Sequence, residues 1–253
     1  MLGEGISYSR SPAMHNAAFH NLGMDWTYEV LDIPRQQLAE SVRRLRAPDV
    51  GGANVTIPYK QAVMEHLDSV APEALRARAV NTIVNDGGTL GGFNTDIPAI
   101  RTALEELGVE RAMANAVILG GGGAARAAAV ALEGGHVTFV LRHPAGADVP
   151  GKVVGWSDPS VPALTRAADV LINATPLGRH DEMPLRPAAL PKYGAVIDLV
   201  YVKGGTPMVR KARSLGVPAV DGWEVLLAQG TISFLLWTGR AAPRDAMRET
   251  LDP

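Results

Sequence analysis

Apolar positions along this chain follow two rhythms, and the places where one gives way to the other predict its elements. Residues 26–33 (WTYEVLDI), 51–57 (GGANVTI) and 79–96 (AVNTIVNDGGTLGGFNTD) alternate or cluster β-prone side chains between turn residues, which predicts one strand in each of the first two and a pair of strands around an Asp-Gly-Gly turn in the third. Between them, 11–23 (SPAMHNAAFHNLG) and 35–47 (RQQLAESVRRLRA) carry helical spacing. Ser11 is the expected N-cap of the first, Pro12 suits its opening turn and Gly23 its end. Residues 60–70 (KQAVMEHLDSV) and 72–78 (PEALRAR) predict two short helices.

Past residue 96 the pattern changes. A helix at 97–108 (IPAIRTALEELG) leads into apolar runs with no polar alternation: NAVIL before four glycines, HVTFVLR, DVLINAT and GAVIDLVY. Strands apolar on both faces and separated by helical segments predict a parallel sheet covered on each side. PMVRKARSLG predicts a helix, PAVDG a short strand, and GWEVLLAQGTISFLLWTG a long, mostly buried helix. The fold class is therefore α/β.

Composition narrows the function. The chain has 253 residues, 47% hydrophobic and 20% charged, and a net charge of −2, which describes a globular protein large enough for two domains. Near-neutral charge argues against nucleic acid or an anionic membrane as partner. No cysteine is present, so thiol catalysis, disulfides and zinc–thiolate sites are excluded. The six histidines show no metal-ligand spacing, and no metal is expected. With neither a secretory signal nor an unbroken membrane-length apolar run, the expected compartment is the cytoplasm.

Two stretches carry chemistry. Gly120-x-Gly122-x-x-Ala125 directly follows a predicted strand and opens a predicted helix, the context a dinucleotide-binding turn needs. Its glycines allow a tight turn and close approach of a pyrophosphate to the helix N-terminus. At the end of the next strand, Arg142 stands where an acid would select a free ribose 2′-hydroxyl, which favours NADP over NAD. The second stretch is NVTIPYK. Its Lys60 alone would read as a solvated ammonium, but it follows a strand closed by Pro58, where a fixed amine can face a ligand.

The ordered motifs SYSRSPAMHN, NVTIPYK, AVNT, NTD, GGGGAAR, INATPLG, VYVKGGTP and DGWEVLLAQG resemble the shikimate dehydrogenase family over nearly the whole chain. The resemblance implies a substrate-binding domain from 1–96 and 223–253, and an NADP-binding Rossmann-type domain at 97–222. It implies reversible, NADPH-dependent reduction of 3-dehydroshikimate to shikimate in aromatic amino acid biosynthesis, with small molecules as partners and a homodimer as a possible assembly. It assigns Lys60 as the catalytic lysine and Asp96 as its partner. Ser9 and Ser11 would hold the substrate carboxylate, with Tyr201 near that end, and Asn54, Thr56, Asn81 and Gln229 would surround the ring hydroxyls. Gly120, Gly121, Gly122, Gly123, Ala124, Arg142, Leu199 and Gly222 fall at cofactor-contacting positions.

This chain departs from the family pattern at several points. Only Met1 and Leu2 precede Gly3, so either the first strand is trimmed or the natural start lies upstream. Tyr8 stands where histidine is common and Gly5 where proline is. The segment that reads the 2′-phosphate keeps only Arg142, and Gly146 replaces a second basic residue, which weakens the expected NADP preference. Ala99 replaces a frequent glycine. Rival readings are a quinate/shikimate or aminoshikimate dehydrogenase using NAD, and a regulatory relative that binds without turnover. A folate-linked dehydrogenase of similar layout is disfavoured by the serine pair and NVTIPYK.

Overall fold

The computed structural model describes residues 1–251 and divides into two compact units, Met1–Asp96 with the chain from Leu227 onward, and Ile97–Leu226. The last two residues of the expected 223–253 segment lie outside the described residues.

In the first unit β1 (Leu2–Gly3) precedes α1 (Ser11–Asn21), β2 (Leu31–Asp32), α2 (Leu38–Arg44) and β3 (Gly52–Asn54). Then come a 3-10 turn at Ala62–His66, β4 (Ser69–Val70), α3 (Pro72–Ala77), β5 (Thr82–Asp86) and β6 (Thr89–Phe93). β3, β5, β6 and β4 form one sheet in that order, antiparallel except for the parallel β4–β6 edge. β1 and β2 pair in parallel, and a bridge from Leu2 to Val55 ties that pair to the chain just after β3. Leu2, Val42, Val55, Val63, Val80, Ile83 and Leu90 form the core beneath these elements. Fully burying a large aliphatic side chain contributes about 1.5–3 kcal/mol.

Three local expectations change here. The strand expected over 26–33 shrinks to Leu31–Asp32, because its neighbour β1 offers only Leu2 and Gly3 as hydrogen-bonding partners. The helix expected over 60–70 is a 3-10 turn followed by β4, since Ser69 and Val70 pair with Gly91 and Gly92. Ser11 is the first residue of α1, not its cap; Arg10 takes the cap position without a side-chain hydrogen bond.

The second unit holds most of α4 (Asp96–Glu106), β7 (Asn115–Leu119), α5 (Gly123–Ala131), β8 (His136–Leu141), β9 (Lys152–Gly155), α6 (Val161–Ala167) and β10 (Val170–Asn173). It continues with β11 (Ala195–Asp198), α7 (Pro207–Ser214), β12 (Ala219–Val220) and the start of α8 (Gly222–Thr238). All six strands are parallel, in the order β12-β11-β10-β7-β8-β9. This is the doubly wound dinucleotide-binding arrangement, with its reversal of direction between β7 and β10. Ile118, Leu119, Phe139, Val140, Leu171, Ile172, Val196 and Ile197 are almost wholly enclosed, as a sheet covered on both faces requires. β9 and α6 escape the sequence pattern because Gly and Pro punctuate residues 144–162.

α8 runs back into the first unit, and α9 (Arg244–Glu249) ends the description there, with Met247 buried. No helix among the described residues is long and apolar enough to cross a membrane.

Candidate active site

Lys60 enters the site from the segment after β3. Its own carbonyl accepts a hydrogen bond from the Val80 amide at 2.7 Å, which anchors the lysine backbone to the approach of β5. Asp96 opens α4, and its backbone amide is capped by Asn94 Oδ1 at 3.1 Å. The two side chains meet: Lys60 Nζ lies 2.6 Å from Asp96 Oδ2, and the side chains keep 14% and 13% of their exposure. The pair is thus largely screened from water while one face stays reachable. An ion pair so enclosed holds its geometry better than an exposed one, because dismantling it would strand a poorly solvated charge.

Asn81 fixes the other carboxylate oxygen. Its Nδ2 donates to Asp96 Oδ1 at 2.9 Å and to Thr95 Oγ1 at 3.0 Å, while its Oδ1 accepts the Thr95 backbone N–H at 2.7 Å. A backbone N–H can only donate, so the orientation of this carboxamide is set and its amine must face the aspartate. Gln229 on α8 joins through Thr95, whose hydroxyl lies 3.5 Å from Gln229 Oε1.

The remaining expected substrate residues divide. Ser11 is buried and Ser9 half-buried, and the Ser11 amide donates to Ser9 Oγ at 3.2 Å, so the two serines form one local turn. Thr56 is half-buried beside Gly3, where a Cβ would come within 2.7 Å of its methyl group. Asn54 departs from the expectation of a ring-hydroxyl contact. Its Nδ2 donates within 3.0–3.1 Å to the Asn81 carbonyl, Thr82 Oγ1 and Ser233 Oγ, and its Oδ1 accepts from the Tyr28 hydroxyl at 2.7 Å. With both amide protons taken and the residue 5% exposed, Asn54 has no donor left for a ligand. Thr82, Thr95, Ser233 and Tyr28 were not singled out from the sequence. The strand register that sets Asn54 opposite Thr82 is the feature that brings them together.

In the second unit the glycine turn stands at the reversal point of the sheet. Gly120 has φ +101°, and a Cβ there would lie 3.0 Å from the Ala174 carbonyl beyond β10. Gly121 packs under Leu141 at the end of β8, whereas a Cβ on Gly122 would meet nothing within 4 Å. Gly122 caps α5 with no side-chain hydrogen bond, and Gly123 and Ala124 begin the helix, so its first amides face open ground over a positive helix end. That donor set fits a dinucleotide pyrophosphate. Arg142 projects from the end of β8, exposed and, among the described residues, without a hydrogen-bonding or ionic partner. The Leu199 amide donates to the Asn173 carbonyl at 2.9 Å, which keeps the end of β11 beside β10. Gly222 is forced to lack a side chain, since a Cβ would stand 2.5 Å from the carbonyl carbon of Val200. Tyr201 is half-buried, its ring 4.9 Å from that of Trp223. Asp198, fully enclosed, is pushed up to about 6 by burial, although Thr206, Val200 and Asn173 donate to it and offset part of the effect. It braces the segment leading to Tyr201.

A doubly wound nucleotide-binding sheet together with an enclosed lysine–aspartate pair defines a dinucleotide-dependent oxidoreductase of two-domain α/β type. Comparison with known proteins makes this more particular. Residues 1–83 match the shikimate dehydrogenase substrate binding domain and residues 222–251 the shikimate 5′-dehydrogenase C-terminal domain. A shikimate dehydrogenase (NADP(+)) of Symbiobacterium thermophilum is 40% identical over 267 aligned positions, covering 98% of this chain and 91% of the relative. The crystal structure of shikimate 5-dehydrogenase from Thermus thermophilus in complex with NADP(H) and shikimate aligns with a TM-score of 0.87 at 37% identity, covering 98% and 96% of the two chains. A Listeria monocytogenes shikimate 5-dehydrogenase in complex with shikimate and NAD gives a TM-score of 0.84 at 29% identity, covering 98% and 93%. The chain belongs to the shikimate dehydrogenase family.

Proposed function

We propose that this chain catalyses the reversible, NADPH-dependent reduction of 3-dehydroshikimate to shikimate, with Lys60 as the proton-transfer group and Asp96 as its partner. The observation that carries this reading is the 2.6 Å contact between Lys60 Nζ and Asp96 Oδ2 in a half-closed setting, with Asn81 holding the second carboxylate oxygen. Reduction of a ketone builds negative charge on the carbonyl oxygen, which then takes a proton. An ammonium held by one carboxylate oxygen keeps its other N–H groups to stabilise that charge and deliver the proton. In the oxidative direction the same amine receives it. Asp96 fixes where the amine points and can accept from a neighbouring substrate hydroxyl.

NADPH supplies the hydride when bound. Gly120 to Ala124 would hold its pyrophosphate, Arg142 its 2′-phosphate, and Leu199 and Gly222 would border the nicotinamide end. Arg142 supports NADP because it is a guanidinium without a competing partner. Ser9 and Ser11 suit the substrate carboxylate as neutral donors, with Tyr201 at that end. Thr56 and Gln229 suit ring hydroxyls, since neutral groups left unpaired by an analogue lacking a hydroxyl provide selectivity, while Asn81, with both amide protons on Asp96 and Thr95, serves the carboxylate instead. Work in the cytoplasm and assembly as a homodimer complete the reading; light scattering tests the latter.

The test is an absorbance assay at the nicotinamide band with shikimate and quinate, each with NADP and NAD. Shikimate with NADP should give the highest kcat/KM. Equal or better turnover of quinate with NAD overturns the assignment.

A further inference from the structure

We infer that a one-directional chain of buried hydrogen bonds, running from the Tyr28 phenol through Asn54, Thr82 and Asn81 to Asp96, positions the carboxylate that holds Lys60. The inference rests on the proposed role of the Lys60–Asp96 pair and adds residues that touch neither reactant.

Two backbone groups set the direction of the chain. Asn54 Nδ2 lies 3.1 Å from the Asn81 carbonyl, an obligate acceptor, so Asn54 turns its Oδ1 to Tyr28 and the phenol is the donor. At the other end the Thr95 N–H fixes Asn81 Oδ1 as an acceptor, and Thr82 Oγ1, 3.0 Å from that oxygen, must donate to it. The single Thr82 proton is then committed, and Thr82 Oγ1 accepts in turn from Asn54 Nδ2 at 3.1 Å. Ser233 stands beside this path: its oxygen lies 3.0 Å from Asn54 Nδ2 and 2.9 Å from Thr82 Oγ1, and its own hydroxyl donates to the Gln229 carbonyl at 3.1 Å on the same helix. Along the path every proton points the same way: phenol to Asn54, Asn54 to Thr82, Thr82 to Asn81, and Asn81 to Asp96 Oδ1. Donors aligned head to tail in a dry interior polarise one another and resist reorientation.

The fold makes this arrangement specific. Thr82 and Ser233 are fully enclosed, and Asn54, Asn81 and Thr95 nearly so. Asn54 and Thr82 face each other across β3 and β5, and Ser233 arrives on α8, 151 residues from Thr82 in the chain. The far end is held by packing: the Tyr28 ring stacks on His15 at 4.6 Å and 14° and meets Trp237 at 5.9 Å. These are positioning residues. Their proposed effect is to keep the Asn81 amine on one oxygen of Asp96 so that the other remains aimed at Lys60.

The experiment compares Thr82→Val, Thr82→Ser, Ser233→Ala and Tyr28→Phe in the intact protein. Removing the hydroxyl at position 82 while keeping its volume should lower kcat about tenfold, the effect of one lost buried hydrogen bond on a transition-state geometry. The KM for NADPH should stay within twofold, and Thr82→Ser should restore kcat to within about twofold of wild type. Ser233→Ala, which removes a neighbour of the chain and not a link in it, should lower kcat less than Thr82→Val does. A readout independent of turnover is the side-chain amide cross-peak pair of Asn81 in a nitrogen–proton correlation spectrum. Tyr28→Phe should move it, although Tyr28 does not touch Asn81. The proposal is overturned if Thr82→Val keeps wild-type kcat, if Thr82→Ser is as impaired as Thr82→Val, or if the Asn81 cross-peaks ignore Tyr28→Phe. Retained turnover in Lys60→Met would instead defeat the proton-transfer reading, and the cross-peaks would still report whether the chain is coupled.

Discussion

Lys60 and Asp96 stand 36 positions apart in the chain and 2.6 Å apart in space. Replacing Lys60 with Met removes the proposed proton donor while keeping most of the side chain's bulk. The turnover number should fall about 10²–10⁴-fold, the usual contribution of a positioned acid–base group, with cofactor affinity preserved. Single-turnover kinetics and a cofactor titration check this, and activity within threefold of wild type would remove Lys60 from the mechanism. Arg142→Ala should raise the KM for NADPH about tenfold or more and leave that for shikimate nearly unchanged, because a guanidinium pairing a phosphate dianion is lost only on the cofactor side. If neither KM moves, the 2′-phosphate is held elsewhere. At this scale the sequence pointed to Lys60 and Asp96 through the family motifs that carry them, and to the glycine turn through its place after an apolar strand. It misjudged Asn54, whose residue type suits a ligand as well as it suits a buried brace. Only the three acceptors around its amine separate the two roles.

Among the elements, long apolar strands followed by helices were legible and short or edge pieces were not. β7, β8, β10 and β11 are apolar on both faces, so their pattern carries its own evidence. β4 has two residues and exists because Gly91 and Gly92 offer it an edge. The helix expected over 60–70 gives way there, since hydrogen bonds to a neighbouring strand outweigh a weak local preference. α8 and β3 meet at a position where the element boundary has no slack. A Cβ on Gly52 would lie 2.2 Å from the Ile83 carbonyl and 2.6 Å from Trp237 Nε1, the two groups that bond each other at 2.9 Å. Gly52→Ala should therefore break that hydrogen bond and push the helix off the sheet, at a cost of about 2–4 kcal/mol. Urea unfolding measures it; a loss below about 0.5 kcal/mol, the range of an ordinary surface substitution, would contradict the close approach.

At the scale of the whole molecule, buried titratable groups away from Lys60 and Asp96 set the acid side of stability. His15 is wholly enclosed, neither ring nitrogen has a hydrogen-bond partner among the described residues, and burial, aided by the nearby terminal ammonium, lowers it from 6.5 to about 3. A folded-state value below the unfolded one means that the unfolded chain binds the proton first. Stability is then intact above pH 6.5 and falls toward pH 3, by about 1.4 kcal/mol per pH unit. Asp198 acts in the opposite sense. Raised from 3.8 to about 6, it favours the folded state below 3.8 and loses that contribution as pH rises through 6. Between pH 4 and 6 the two slopes oppose each other, so wild-type stability should change little from this pair there. His15→Phe removes one slope. Between pH 6.5 and 4.5 the variant should gain about 2.5 kcal/mol relative to wild type, read by denaturant unfolding at both pH values. Parallel curves for the two proteins would show that His15 is not buried neutral.

From its residues alone the chain showed an α/β pattern and placed a glycine turn between strand and helix, while the motifs it shares with its family pointed to Lys60 and Asp96. The first two are written in local pattern: periodicity, and glycine beside strand. Tertiary structure alone decided which polar groups are spent on one another. Tyr28, Asn54, Thr82 and Ser233 have unremarkable sequence neighbours, and they become one hydrogen-bonded network because strand register and a helix arriving from 151 residues away exclude water from the space between them. Without water to compete, each hydroxyl and amide must find a protein partner, and which partner that is depends on three-dimensional proximity.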